Sequence, residues 1–415
     1  MLYQMHELQR AVLNPMTAFA SAGAKMFSSP HSPLAYMPFA NRLAAGYELF
    51  YRLGKAYEKP EFGLHSTTVE GSNGSTEVPI LQRVEIEKPF CRLLHFQRFF
   101  PPEMIKRRAD PKVLLVAPLS GHHSTLLRDT VRQLIGAHDV YITDWVDARM
   151  VPLTEGPFHL DDYVAYIQQF IRHLGPDVHV ISVCQPTVPV LAAVSLMASA
   201  RDPKLPRTMT MMGGPIDSRK SPTEVNNLAT TKPYAWFENN VIYKVPSNYP
   251  GYLRSVYPGF LQHAGFVAMN PDRHMSSHHD FYLQLVRGDD ADAKEHRRFY
   301  DEYNAVLDMP AEYYLDTIKT VFQDHALAAG TWMVRGDKVA PADIKTVALF
   351  TIEGELDDIS GSGQTEAAHD LCSSIPKAMK QHFTAPKCGH YGIFSGKRWR
   401  GLIYPRIHDF IRKHA

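Results

Sequence analysis

The sequence predicts an α/β fold: a mostly parallel sheet flanked by helices, with an inserted helical lid and an N-terminal helical extension. Three observations lead there. Apolar runs of strand length recur with amphipathic helical segments between them. The run Asp177 to Val183 leads directly into Cys184-Gln185-Pro186-Thr187, the layout of a sharp strand-to-helix turn that presents a nucleophile. The alternation stops at Pro215 and resumes near Thr346, after an aromatic, proline-punctuated stretch.

Residues 1–62 alternate helical stretches with Ser/Pro breaks such as Ser28-Ser29-Pro30 and form the extension. Gly63 to Gly74 is a polar, glycine-containing break, and Val84 to Phe96 reads as an antiparallel pair at a sheet edge. The core spans 75–215 and 338–415. Lys112 to Ala117 and Val140 to Thr143 are strands, with a helix from Ser124 to Leu134 between them. Leu160, Tyr163, Val164, Ile167, Phe170, Ile171 and Leu174 follow helical spacing, and Gly175 ends that helix. The strand carrying Cys184 follows, then a helix from Thr187 to Ala200 and a strand from Thr208 to Met212. Residues 216–337 form the lid. Strands return at Thr346 to Ile352 and near His382 to Thr384, and an amphipathic helix, Leu402 to Ile411, closes the chain.

The 415 residues, 45% hydrophobic with a formal charge of +1, can bury a large core and create no field that would gather nucleic acid. The longest apolar runs fall short of the ~20 residues that span a bilayer. The first residues carry Glu7 and Arg10 with no apolar signal segment, so a cytoplasmic location is expected. Four cysteines, Cys91, Cys184, Cys372 and Cys388, form no C-x-x-C pair, which argues against a disulfide framework or a thiolate zinc site. His278-His279-Asp280 and His122-His123 resemble metal-ligand doublets, but adjacent side chains diverge and no partner spacing follows. No metal and no cofactor is expected.

A thiol nucleophile requires an imidazole to take its proton and a carboxylate to orient that imidazole. Cys184 sits where the first turn of the following helix directs unpaired N–H groups at it. Glu353-Gly354-Glu355-Leu356-Asp357-Asp358 places carboxylates beyond a strand, and Lys387-Cys388-Gly389-His390 places a histidine in a glycine-flanked loop. Glu353 and Glu355 read as solvated; the choice of acid lies between Asp357 and Asp358. Cys388 reads as structural. An oxyanion hole would draw on the backbone N–H of Gln185 and one from the loop Pro118-Leu119-Ser120-Gly121, with Ser120 the residue selected. The order nucleophile, acid, histidine is that of the α/β-hydrolase fold.

At these residues the chain resembles the intracellular polyhydroxybutyrate depolymerases, α/β-hydrolases with cysteine in place of serine. The resemblance rests on Ser-Val-Cys-Gln-Pro at the elbow, Ala-Pro-Leu-Ser-Gly-His-His, Met-Met-Gly-Gly-Pro-Ile-Asp at 211–217, Glu-Gly-Glu-Leu-Asp-Asp-Ile-Ser and Cys-Gly-His-Tyr-Gly-Ile-Phe-Ser-Gly. It implies a triad of Cys184, Asp357 and His390, with Asp358 in reserve. It also implies a polyester substrate at a poly(3-hydroxybutyrate) granule surface, cleaved through an acyl-enzyme. The aromatics Tyr234, Trp236, Phe237, Tyr243, Tyr249, Tyr252, Tyr257 and Phe260 would offer the polymer an apolar groove or simply build the lid's own core; Trp236 and Phe237 are the substrate-binding candidates. The departures from G-x-S-x-G, at Ser182, Cys184 and Pro186, argue against an ordinary lipase or esterase. A polyester synthase-like acyltransferase, thiolysis by a thiol such as coenzyme A, and a non-catalytic granule-binding protein are the alternatives. A homo-oligomer is left open.

Overall fold

The structure, a computed structural model, describes residues 2–71, 74–105, 109–269 and 271–415. Among the described residues nine strands form one sheet: β1 Ser66–Gly71, β2 Gly74–Glu87, β3 Cys91–Arg98, β4 Lys112–Val116, β5 Asp139–Trp145, β6 Val178–Val183, β7 Thr208–Met212, β8 Ala348–Gly354 and β9 Lys380–Ala385, in the order β1-β2-β3-β5-β4-β6-β7-β8-β9. The first three strands run antiparallel, and β5 through β9 pair in parallel. β1 corrects the reading of Gly63 to Gly74 as a break. Its side chains are mostly Ser, Thr and Glu, with Val69 alone fully buried, so no apolar period marks it; its ladder with β2 makes it a strand. Ser72 and Asn73, within the same stretch, lie outside the described residues.

The parallel strands β4 to β8 are buried on both faces, which is why a run such as Val113 to Val116 is continuously apolar, whereas the edge strand β9 is buried only at Ala385. Leu114 and Val116 enter one core layer, and Val113 and Leu115 the other. Each fully buried side chain of this kind contributes roughly 1.5–3 kcal/mol. The helices flanking the sheet are α3 Arg128–Leu134, α4 Leu160–Leu174, α5 Thr187–Ser199 and α12 Tyr404–Lys413. The seven apolar positions of α4 named above are all buried on the first layer. Asp162 caps its start, accepting from the His159 N–H at 2.8 Å. α12 covers the opposite face with Ile407, Phe410 and Ile411.

Two long helices, α1 Leu2–Ser28 and α2 Ala40–Gly54, pair at the N-terminus. Between β7 and β8 lie α6 Glu224–Thr231, α7 Tyr234–Val241, α8 Gly259–Met269, α9 Pro271–Arg287, α10 Asp290–Tyr303 and α11 Ala311–Thr317. The N-terminal pair is fastened to this insertion. Tyr3 donates to Asp308 Oδ2 at 2.6 Å, and Arg52 Nη2 reaches Asp301 Oδ1 at 3.0 Å. Among the described residues no helix is long and apolar enough to cross a membrane.

Candidate active site

The strand order reverses at β4. The chain leaves β4 for β5 on one side and returns through β6 on the other, so the ends of β4 and β6 open onto a crevice where such sheets bind ligands. Cys184 follows β6 and the Pro118 to Gly121 loop follows β4, which brings both to that crevice.

Cys184 is half-buried and holds φ at +68°, a left-handed conformation that non-glycine residues rarely adopt. Its neighbours hold it there. The Cys184 N–H donates to Met212 O at 2.7 Å, and Cys184 O accepts from the Thr187 N–H at 3.1 Å. The turn is packed against Gly213-Gly214, immediately after β7. A Cβ on Gly214 would lie 1.8 Å from Thr187 Oγ1 and 2.5 Å from Cys184 O; one on Gly213 would lie 3.3 Å from His390 Cε1 and 3.2 Å from Asp357 Oδ2. Bare backbone is therefore required at both positions. Thr365 secures Gly214 in turn, its Oγ1 lying 2.8 Å from Gly214 N and 3.0 Å from Gly214 O.

His390 is buried, and its Nδ1 lies 2.8 Å from Asp357 Oδ2. Asp357 Oδ1 accepts from the Ile359 and Ser360 N–H groups at 2.9 and 2.8 Å, so both carboxylate oxygens are fixed. Asp358 is exposed. Burial disfavours the charged imidazole, but Cys184 and Asp357 outweigh it and hold His390 well above the usual imidazole range. Nucleophile candidate, imidazole and carboxylate thus form one electrostatic unit.

Around them, Gln185 is buried with its Oε1 accepting from Tyr313 OH at 2.6 Å. Ser120 is half-buried, and the next residue, Gly121 (φ +108°), is bound to the insertion through the Leu307 N–H at 2.7 Å. Tyr303 of α10 stands against Tyr391, next to His390, with ring centroids 6.5 Å apart. Trp236 and Phe237 meet edge to face at 5.2 Å in a cluster with Leu315 and Ile318, inside the insertion.

Glu353 is a correction. Read as solvated, it is 1% exposed and accepts from the N–H groups of Gly363, Thr365 and Glu366 at 2.8, 2.8 and 2.9 Å. Its place at the end of a strand buried on both faces points it inward, and the folded-back loop supplies its donors. Glu353, Glu366 and His382 have metal-ligand spacing, but the Glu353 carboxylate is already engaged by those three donors. His122 and His123 are held neutral by burial, which pushes them down to about 4 and about 3. Gly214, Thr365 and Tyr313 were given no role from the sequence. A paired glycine directly after a strand was the available signal for the first; nothing local marked the other two.

Strand order and the strand-to-helix elbow give the chain the α/β-hydrolase fold. Residues 213–415 match the family model described as PHB de-polymerase C-terminus. Over those residues, just under half of its length, the chain is similar to the PHB depolymerases. Among solved structures it is similar to a monoacylglycerol lipase of Paleococcus ferrophilus, at 12% identity over 74% of this chain and 97% of that one (TM-score 0.44). It is also similar to 2-hydroxy-6-oxo-6-phenylhexa-2,4-dienoate hydrolase of Rhodococcus sp. strain RHA1, at 14% identity over 81% and 99% (TM-score 0.42). A thermophilic esterase of Thermogutta terrifontis aligns at 11% identity over 84% and 98% (TM-score 0.40). None of the curated proteins compared matches the chain.

Proposed function

We propose that this protein is an intracellular depolymerase that hydrolyses the ester bonds of amorphous poly(3-hydroxybutyrate) through an acyl-enzyme on Cys184, releasing 3-hydroxybutyrate and its oligomers. The observation that carries this reading is the Asp357–His390 pair at 2.8 Å beside a cysteine held at φ +68°. The Cys184 proton passes to His390 Nε2, which Asp357 orients. The Cys184 sulfur adds to the ester carbonyl, and the oxyanion is taken up by the Gln185 backbone N–H and a donor of the Ser120 loop. As the intermediate collapses, the C–O bond breaks and His390 Nε2 gives its proton to the departing 3-hydroxyl. Neutral His390 then takes a proton from water as the hydroxide adds to the thioester. The C–S bond breaks, and His390 returns its proton to the Cys184 sulfur.

Residence in the cytoplasm at the granule surface belongs to the same reading. Met5, Leu8, Val12 and Phe19, all exposed and spaced along one face of α1, support it. The test is release of 3-hydroxybutyrate and its oligomers from amorphous granules by the wild type and by Cys184→Ala. Release by the wild type alone supports the function and the nucleophile. No release by folded wild-type protein rejects the function, and release by both rejects the nucleophile.

A further inference from the structure

Gln185 carries an unused donor next to the nucleophile. Its side chain is 7% exposed, and its Oε1 is taken by Tyr313 OH at 2.6 Å. Nε2 has no partner among the described residues. The phenol cannot easily move to accept from it. Tyr313 is 1% exposed and stacks on the fully buried Tyr163, with ring centroids 5.5 Å apart and planes 15° apart. The amide is therefore held by its oxygen edge, with its N–H2 edge turned away from the phenol and without compensation. A buried donor left unpaired costs stability, and such a group is a site at which to look for a ligand acceptor.

We propose that the Gln185 side-chain amide is a substrate-binding donor that recognises an oxygen on carbon 3 of the acyl group carried by Cys184, and so selects 3-oxyacyl esters over plain alkanoyl esters. This rests on the reading of Cys184 as the nucleophile. On that reading the backbone N–H of Gln185 would receive the carbonyl oxygen under attack, and the side chain of the same residue would meet the next acceptor along the acyl chain. In a 3-hydroxyalkanoate polyester that acceptor is the ester oxygen on carbon 3; in a fatty acyl ester the position is a methylene. A donor desolvated in advance rejects the methylene strongly, because it then stays unpaired.

The test compares the 4-nitrophenyl esters of 3-methoxybutyrate and 3-methylpentanoate, which differ only in oxygen against methylene. The readout is the ratio of their kcat/KM values in wild type, Gln185→Met and Tyr313→Phe, with acylation of Cys184 followed by mass spectrometry. The wild type is expected to prefer the ether by about tenfold or more. Gln185→Met is expected to bring the ratio near one, and Tyr313→Phe, which releases the amide, to lower it. A wild-type ratio near one, or a ratio that survives in Gln185→Met, overturns the proposal. Should Gln185→Met fail to fold, Tyr313→Phe decides, and an unchanged ratio there overturns it. Absence of Cys184 acylation by either ester removes the nucleophile and the proposal with it, an outcome separate from any change in ratio.

Discussion

Asp357 grips His390 with one oxygen while two backbone N–H groups hold the other: Oδ2 lies 2.8 Å from His390 Nδ1, and Oδ1 accepts from Ile359 and Ser360. Asp357→Asn would keep the volume but lose the charge and favour the wrong imidazole tautomer, so kcat should fall by about 10³–10⁴. Asp357 also helps to keep His390 protonated, so residual activity should lose its alkaline limb at lower pH than the wild type does. The exposed Asp358, as Asn, should stay within a few-fold of wild type. A pH–rate profile of all three proteins checks both statements.

The four cysteines should react very unequally. Burial pushes the Cys91 thiol far up, the Cys372 thiol to about 12, and the Cys388 thiol upward, whereas Cys184 is half-buried beside an imidazolium. Native protein treated with iodoacetamide at neutral pH should gain one adduct, on Cys184, with activity lost in step. Peptide mapping against residual turnover tests this. Full activity after verified modification of Cys184 would falsify the acyl-enzyme mechanism.

Gly214 and Gly46 should answer opposite ways to the same change. A Cβ on Gly214 meets Thr187 Oγ1 at 1.8 Å and the Cys184 carbonyl at 2.5 Å, so Gly214→Ala must displace the elbow. It should cost about 1–3 kcal/mol and most of the activity. Gly46, inside α2, has nothing within 4 Å of the added carbon, and Gly46→Ala should stabilise by about 0.5–1 kcal/mol. Urea unfolding of the two variants separates the effects.

Stability should depend on pH through a buried acid pair under the N-terminal helix. Burial and the neighbouring Asp308 push Asp147 up to about 7, despite Arg149. The folded chain therefore keeps a proton that the unfolded chain releases near ~4. Folding binds the extra proton, so this group removes stability as pH rises from about 4 to about 7. Asp147→Asn, which has no proton to lose there, should gain on the wild type by about 1–3 kcal/mol between pH 5 and pH 8. Urea midpoints at the two pH values measure the difference.

Much of the sheet was legible because its strands are buried on both faces and lack competing periodicities. Val178 to Val183 and Thr208 to Met212 are buried at every position, and α4 shows its buried stripe at helical spacing. β1 was hidden because an edge strand needs little apolar surface; its partner's backbone groups define it. Glu353 was misjudged because a carboxylate's solvation depends on donors ten to thirteen residues further along, and those arrive only when the loop folds back.

By itself the sequence determined the strand-turn-helix setting of Cys184, the acids beyond one strand and the histidine beyond another, since each is written in local pattern. The distances between them were decided by tertiary structure alone. Residues 184, 357 and 390 meet because the sheet sets β6, β7, β8 and β9 side by side, and Tyr313 reaches Gln185 across 128 positions of sequence. Contacts of that separation depend on how elements pack, and no local spacing encodes which of two adjacent aspartates faces the histidine or which amide edge is left unpaired.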